Sequence, residues 1–179
     1  MVNVLLCGNP LDLSISEALV PALSLYGGLC FSGREQVLES GASVRYFLYE
    51  SEKVPDIEME KGILLFKNGI RQKAPVHVPE GFLCVLGSQN TKAAELLNGT
   101  DAAVVTCGTG PKDTLSLAGL ENSCATVSLQ RNLITLSGNL LEPHDFNVSL
   151  SRQRSPYQVL FVSAVLLISD IDSGNGYIV

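Results

Sequence analysis

Residues 82–119 read FLCVLGSQNTKAAELLNGTDAAVVTCGTGPKDTLSLAG, and residues 157–169 read YQVLFVSAVLLIS. The first stretch opens on an apolar run over 82–86 that predicts a buried strand. The turn Gly87-Ser88-Gln89-Asn90 follows, and then 91–97 has helical spacing with Ala93, Ala94 and Leu97 on one inner face. Asn98-Gly99 supplies the helix stop. A second apolar run over 102–107 predicts another buried strand, so the order is strand, helix, strand, a βαβ unit. After Gly110-Pro111 the pattern changes: 114–117, 125–129, 133–136 and 146–150 alternate apolar and polar residues, and Ser137-Gly138-Asn139 separates two of these segments as a hairpin turn. Alternation means one wet face, which predicts an antiparallel extension of the sheet. Pro156 then opens a final helix at its first turn.

Working outward, 2–7 is a continuous apolar run ending at Gly8, the pattern of a strand buried on both faces. Asn9 and Asp12 are candidate caps for a helix that runs to Tyr26 and stops at Gly27-Gly28. Pro21 lies within it and predicts a kink or two short helices. A further helix is predicted over 34–40, stopped by Gly41. Residues 43–50 read as a strand, 51–61 as a polar loop, 63–66 as a short buried strand, and 71–80 as a polar connection after the Asn68-Gly69 turn. Together these elements predict one α/β domain over 1–179. Its sheet is mainly parallel and Rossmann-like, flanked by helices, with an antiparallel ribbon and an apolar C-terminal helix. That helix is apolar nearly all round, so either the domain itself or a second copy must bury it.

Composition limits the function. The chain has 179 residues, is 46% hydrophobic and 17% charged, and carries a net charge of −6. It is therefore globular rather than disordered, and its charge disfavours nucleic acid and anionic membrane as partners. The run 157–169 is shorter than the roughly 20 residues a membrane helix needs. The start of the chain lacks a basic leader, so the expected location is cytoplasmic, and the sequons at Asn98 and Asn147 carry no weight. The cysteines, at 7, 30, 84, 107 and 124, contain no CxxC pair and read as free thiols in a reducing compartment. Neither His77 nor His144 has ligand spacing, so no metal and no cofactor are expected.

The succession from 82 to 170 resembles the second half of the central ATP-binding domain of Mur ligases, which join amino acids to the UDP-muramyl precursors of peptidoglycan. In that family a strand ends in an Asn/Asp-rich turn, a helix follows, and a short strand of the type V-x-T-[YF]-G comes next. Here the turn is 87–90 and the short strand ends Val104-Val105-Thr106-Cys107-Gly108. A β ribbon and a helix led by Gly-x-His-Asn complete the family pattern. The departures fall on the chemistry. The family's phosphate loop, GTxGK[ST], wraps phosphates in backbone N–H groups and neutralises them with its lysine. This chain has Gly8-Asn9-Pro10-Leu11-Asp12-Leu13-Ser14 there, without lysine and with a carboxylate. Ser155-Pro156 replaces the His-Asn pair. The resemblance thus implies a reduced relative without ligase chemistry.

Two loops follow the carboxyl ends of strands that read as neighbours, and that edge of an open α/β sheet is where ligands bind. Gly8 and Asn9 on one loop, and Gln89 and Asn90 on the other, are candidate ligand contacts, although helix capping and turn chemistry account for the same residues. Gly108, Thr109 and Lys112 sit in a glycine-bearing turn after a buried strand. Its spacing is wrong for a phosphate loop, and Asp113 follows the lysine. Lys112 beside Cys107 is a setting that lowers a thiol pKa, but no base is placed near it, and no catalytic residue is assigned. Glu142-Pro143-His144-Asp145 reads as a solvated connector. The expected function is a non-catalytic Mur-ligase-like domain, linked through the resemblance to cell-wall metabolism, that binds a protein partner or forms a homo-oligomer. The alternative is an enzyme that binds a small molecule or nucleotide at the carboxyl edge of the sheet.

Overall fold

The computed structural model describes residues 1–34 and 36–179. The chain begins with β1 (Val2–Cys7), α1 (Ser16–Leu25), β2 (Leu29–Ser32), β3 (Val37–Ser40), β4 (Tyr46–Ser51) and β5 (Lys61–Phe66). It continues through β6 (Gly81–Gly87), α2 (Thr91–Leu97), β7 (Ala103–Gly108), β8 (Leu115–Leu120) and β9 (Cys124–Leu129). A small ribbon of β10 (Leu133–Ile134) and β11 (Leu140–Leu141) precedes β12 (His144–Ser149), α3 (Pro156–Ile168) and β13 (Tyr177–Ile178). Among the described residues eleven strands form one sheet in the order β13-β12-β9-β8-β7-β6-β5-β1-β4-β2-β3. From β2 to β8 the pairings are parallel; β3 pairs antiparallel with β2, β9 antiparallel with both β8 and β12, and β13 parallel with β12. This is an α/β fold with a mostly parallel mixed sheet.

The two-residue period of a strand divides the core between the two faces of the sheet. On β1, Val4 and Leu6 join α1 and α3 on one face, whereas Leu5 and Cys7 join α2 on the other. The uninterrupted apolar text of β1, β5 and β6 follows from this, because helices or loops cover both sides. α3 lies across β6, β7, β8 and β9 and touches α1. Its residues from Val159 to Ile168 are all buried within the one chain, so its apolarity is accounted for by the fold itself. Ser155 opens it with a capping box to Gln158, and Pro156 sits in the first turn. Among the described residues no helix is long and apolar enough to cross a membrane.

The first third of the chain departs from its reading. α1 is a single helix through Pro21, and its cap residue is Ile15, without a side-chain cap bond. Asn9 and Asp12 instead make local turns, accepting from Leu11 N and Ser14 N. The predicted helix over 34–40 is absent where described: Val37–Ser40 forms β3, hairpinned on β2, and residue 35 lies outside the described residues. The alternating exposure of Val37, Leu38, Glu39 and Ser40 is a strand period, and the preceding Leu29–Ser32 strand went unread. Gly28 explains the tight entry: its φ is +82°, and a Cβ there would lie 1.8 Å from the Ser43 carbonyl. In α2, Ala93 and Leu97 face inward as expected, but Ala94 is exposed.

Two substitutions within α3 test how it is packed. Phe161→Ala is expected to cost about 3–5 kcal/mol in denaturant unfolding, because Phe161 is fully buried. Ser163→Ala is expected to be neutral or to gain about 1 kcal/mol, because the Ser163 hydroxyl is buried with no hydrogen-bond partner among the described residues.

Candidate functional site

β5 and β4 flank β1, so the residues at their carboxyl ends meet across the end of β1. Glu50 lies at the end of β4, and Lys67 directly follows β5. Lys67 is fully buried, and its Nζ forms an ion pair with Glu50 Oε1, itself almost wholly enclosed. The same ammonium donates to the Asp12 carbonyl at 2.5 Å and to the Asn9 carbonyl at 3.3 Å. Its aliphatic stem runs against Gly8, where φ is +145° and a Cβ would come within 2.6 Å of Lys67 Cβ. Glycine is therefore required at position 8 by the lysine that lies over it.

The loop over 8–14 is closed on itself. Gly8 N donates to Ser51 O, Asp12 N to Asn9 O, Leu11 N to Asn9 Oδ1 and Ser14 N to Asp12 Oδ1. Pro10 has no N–H. The carbonyls of Asn9 and Asp12 point at a cation, the reverse of a nest that turns N–H groups toward an anion. Lys67 also ties the loop to the rest of the edge. Its own carbonyl accepts from Asn90 Nδ2 at 3.0 Å. The neighbouring carbonyl, Phe66 O, accepts from the Tyr157 hydroxyl, and Gln158 Nε2 donates to Ser14 O at 2.7 Å.

The residues singled out from sequence fall in separate places. The loops after β1 and β6 are not adjacent, because β5 lies between those strands and Lys67 fills the gap. The text gave no sign of this, since a buried β5 reads the same whichever strands it joins. Gly8 and Asn9 enclose Lys67. Asn90 is the cap of α2, accepting from Ala93 N at 3.1 Å, and Gln89 is exposed beside it. The turn holding Gly108, Thr109 and Lys112 is closed by Asp113, whose carboxylate accepts from Gly110 N at 2.9 Å. Thr109 and Lys112 are exposed. Cys107 lies in the core, where burial pushes its thiol pKa up and the Asp113 carboxylate adds to the rise. Burial likewise pushes Cys7 and Cys84 up to about 12.

Beside the Lys67 loop a cleft of about 790 Å³ opens at the same edge, between the first turns of α1, the β2–β3 hairpin and the segment 151–154. Arg34, Arg152 and Arg154 line it, together with Leu11, Leu13 and Phe31. Its construction follows from Pro21. Proline cannot donate to the carbonyl four residues earlier, which is that of Glu17. That carbonyl accepts instead from Arg152 Nη2 at 3.0 Å and from Arg154 Nη1 at 3.3 Å. The sequence reading missed Lys67, Arg152 and Arg154. A lysine closing the apolar run GILLFK, and a proline inside a helix pattern, were the signals available.

No family model matches the sequence, and no curated protein matches it. The fold is nevertheless similar to solved Mur ligases. One is a UDP-N-acetylmuramoyl-L-alanyl-D-glutamate–2,6-diaminopimelate ligase, with a TM-score of 0.56 and 13% identity over 98% of this chain and 45% of that one. Another is MurF from Acinetobacter baumannii, with a TM-score of 0.60 and 12% identity over 98% of this chain and 44% of that one. The similarity is one of fold, and the chain spans less than half the length of either ligase. Covering 98% of this chain, it extends well beyond the 82–170 segment that carried the sequence resemblance.

Two measurements probe the buried ion pair and the burial of the cysteines. Lys67→Met is expected to lower stability by about 3–5 kcal/mol, because it strands Glu50 in the interior without a counter-charge. The double variant Lys67→Met with Glu50→Leu is expected to recover most of that loss in the same denaturant titration. In a pulse of N-ethylmaleimide on the folded protein, exposed Cys124 is expected to react first and half-buried Cys30 more slowly. Cys7, Cys84 and Cys107 are expected to react only after denaturation, as mass spectrometry would show.

Proposed function

We propose that this chain is a non-catalytic, Mur-ligase-like domain of the cytoplasm, serving cell-wall metabolism by binding rather than by ATP-driven ligation. The observation that carries this reading is the Lys67 ammonium, held by Glu50 and by the loop carbonyls at the end of β1. A nucleotide phosphate at this position needs free N–H donors and an available cation. Here four of the six loop N–H groups are committed, Pro10 supplies none, and the cation is spent on internal acceptors. The degenerate first loop and the missing His-Asn pair before α3 agree with it.

A protein-partner or self-assembly role is part of the proposal. It is supported by apolar side chains left on the surface: Val37 on the edge strand β3, and Ile134 with Leu140, which face each other across the β10–β11 ribbon. The second reading, a small-molecule site at the carboxyl edge, is supported by the cleft between α1 and the β2–β3 hairpin.

Amide hydrogen exchange with and without ATP and Mg²⁺ tests the first reading. Residues 8–14 are expected to exchange at the same rate in both, and strong protection of that loop by ATP would overturn it. Sedimentation velocity tests the assembly role. A dimer or larger species is expected, weakened by Ile134→Asp with Leu140→Asp, and a monomer at all concentrations would remove that role.

A further inference from the structure

Two guanidinium groups converge on one main-chain carbonyl in the cleft. The Glu17 oxygen freed by Pro21 needs a single donor; Arg152 and Arg154 both supply one. Arg154 is only 5% exposed, yet its Nε has no hydrogen-bond partner among the described residues. A buried, charged donor left unpaired is costly, so a partner normally occupies its fork. Among the described residues no carboxylate lies within ion-pair distance of Arg34, Arg152 or Arg154; of the two acidic residues lining the cleft, Glu50 is neutralised by Lys67, so the three arginines stand against the Glu17 carboxylate alone. Three of the six arginines in a chain of net charge −6 thus gather at one concave site. Leu11 and Leu13, which are 78% and 50% exposed, line the same cleft together with Phe31. A volume of about 790 Å³ lies within the range of small-molecule sites.

We propose that this cleft binds a free amphipathic anion, with an oxyanion headgroup on the Arg152–Arg154 pair and an apolar body against Leu11, Leu13 and Phe31. Guanidinium forks match carboxylate and phosphate-monoester oxygens in a two-bond geometry that an ammonium does not offer. The headgroup meets the guanidinium N–H groups that the Glu17 carbonyl leaves unused, and the apolar body covers the two exposed leucines. The chain's overall negative charge opposes adsorption to an anionic bilayer, so the ligand is a dissolved molecule rather than a lipid in a membrane. The site shares Leu11 and Leu13 with the loop that encloses Lys67, but its headgroup contacts are the arginines rather than Lys67, and it goes beyond the function proposed above.

The test is calorimetric titration of the full chain with octyl phosphate, alongside inorganic phosphate and octyltrimethylammonium. Octyl phosphate is expected to bind saturably with one site, inorganic phosphate about tenfold or more weakly, and the cationic probe not at all. Arg154→Gln is expected to weaken octyl phosphate about tenfold or more, as loss of a charged hydrogen-bond donor does. Should that buried variant fail to fold, Arg152→Gln, at an exposed position, is expected to weaken binding in the same direction. Leu11→Ser is expected to weaken octyl phosphate and leave inorganic phosphate unchanged. Absence of saturable binding, equal binding of the cationic probe, or unchanged affinity in Arg152→Gln would overturn the proposal. Co-sedimentation with phosphatidic acid vesicles, in place of binding to dissolved octyl phosphate, would overturn the assignment to a free molecule. Hydrogen exchange separates this outcome from the ATP test, since octyl phosphate in the cleft is expected to protect 151–154, which a nucleotide held at the end of β1 would leave unprotected.

Discussion

A lysine ammonium enclosed at the carboxyl end of a parallel sheet must be given acceptors, and the local architecture of this protein follows from that requirement. Lys67 takes one from β4, through Glu50, and two from the loop after β1. Its stem demands glycine at position 8, and its carbonyl receives Asn90 from the head of α2. Desolvating two charges costs several kcal/mol per ion, and their attraction offsets this only when the remaining hydrogen-bonding capacity is filled. Three acceptors for three ammonium protons meet that condition. The arrangement therefore fixes the relative positions of four segments: the first loop, the end of β4, the end of β5 and the start of α2.

In open α/β sheets the point where strand order reverses is the usual ligand crevice. β1 is that point here: the chain passes from β4 on one side of it to β5 on the other. The Lys67–Glu50 pair spans it. The overall fold is similar to that of Mur ligases, while the crevice at its centre is bridged from within. The accessible concavity lies one step along the sheet, over β4 and β2, where Pro21 releases the Glu17 carbonyl and draws two arginines toward it.

Much of the fold was legible because it rests on local patterns. The 91–97 helix, the Pro156-led helix and the strands at 2–7 and 82–86 each announce themselves by period, cap or stop signal, and each is observed. The alternating segments after 114 gave the antiparallel extension for the same reason. What could not be read depends on which elements become neighbours. Nothing within 2–7 or 63–66 says that their ends will enclose the same lysine. Residues 34–40 carry too few apolar positions to separate a helical from an alternating period, and the pairing of 37–40 with β2 decided the matter. Arg152 and Arg154 gain significance only beside Glu17, more than 130 positions earlier, and no spacing rule connects them.

The parallel and antiparallel parts of the sheet meet at a narrow seam. β7 and β8 pair over only Cys107 with Leu115 and Gly108 with Ser116. α3 lies across both sides of it, buried against β6 through β9. On a ribosome, the strands of both halves emerge well before this helix, and their shared apolar surface stays wet until residue 168 has been made. Long-range closure of this kind is slow and leaves hydrophobic surface open to other chains while it waits. The helix that staples the finished molecule is thus also the segment whose late arrival sets how long the nascent chain needs shelter.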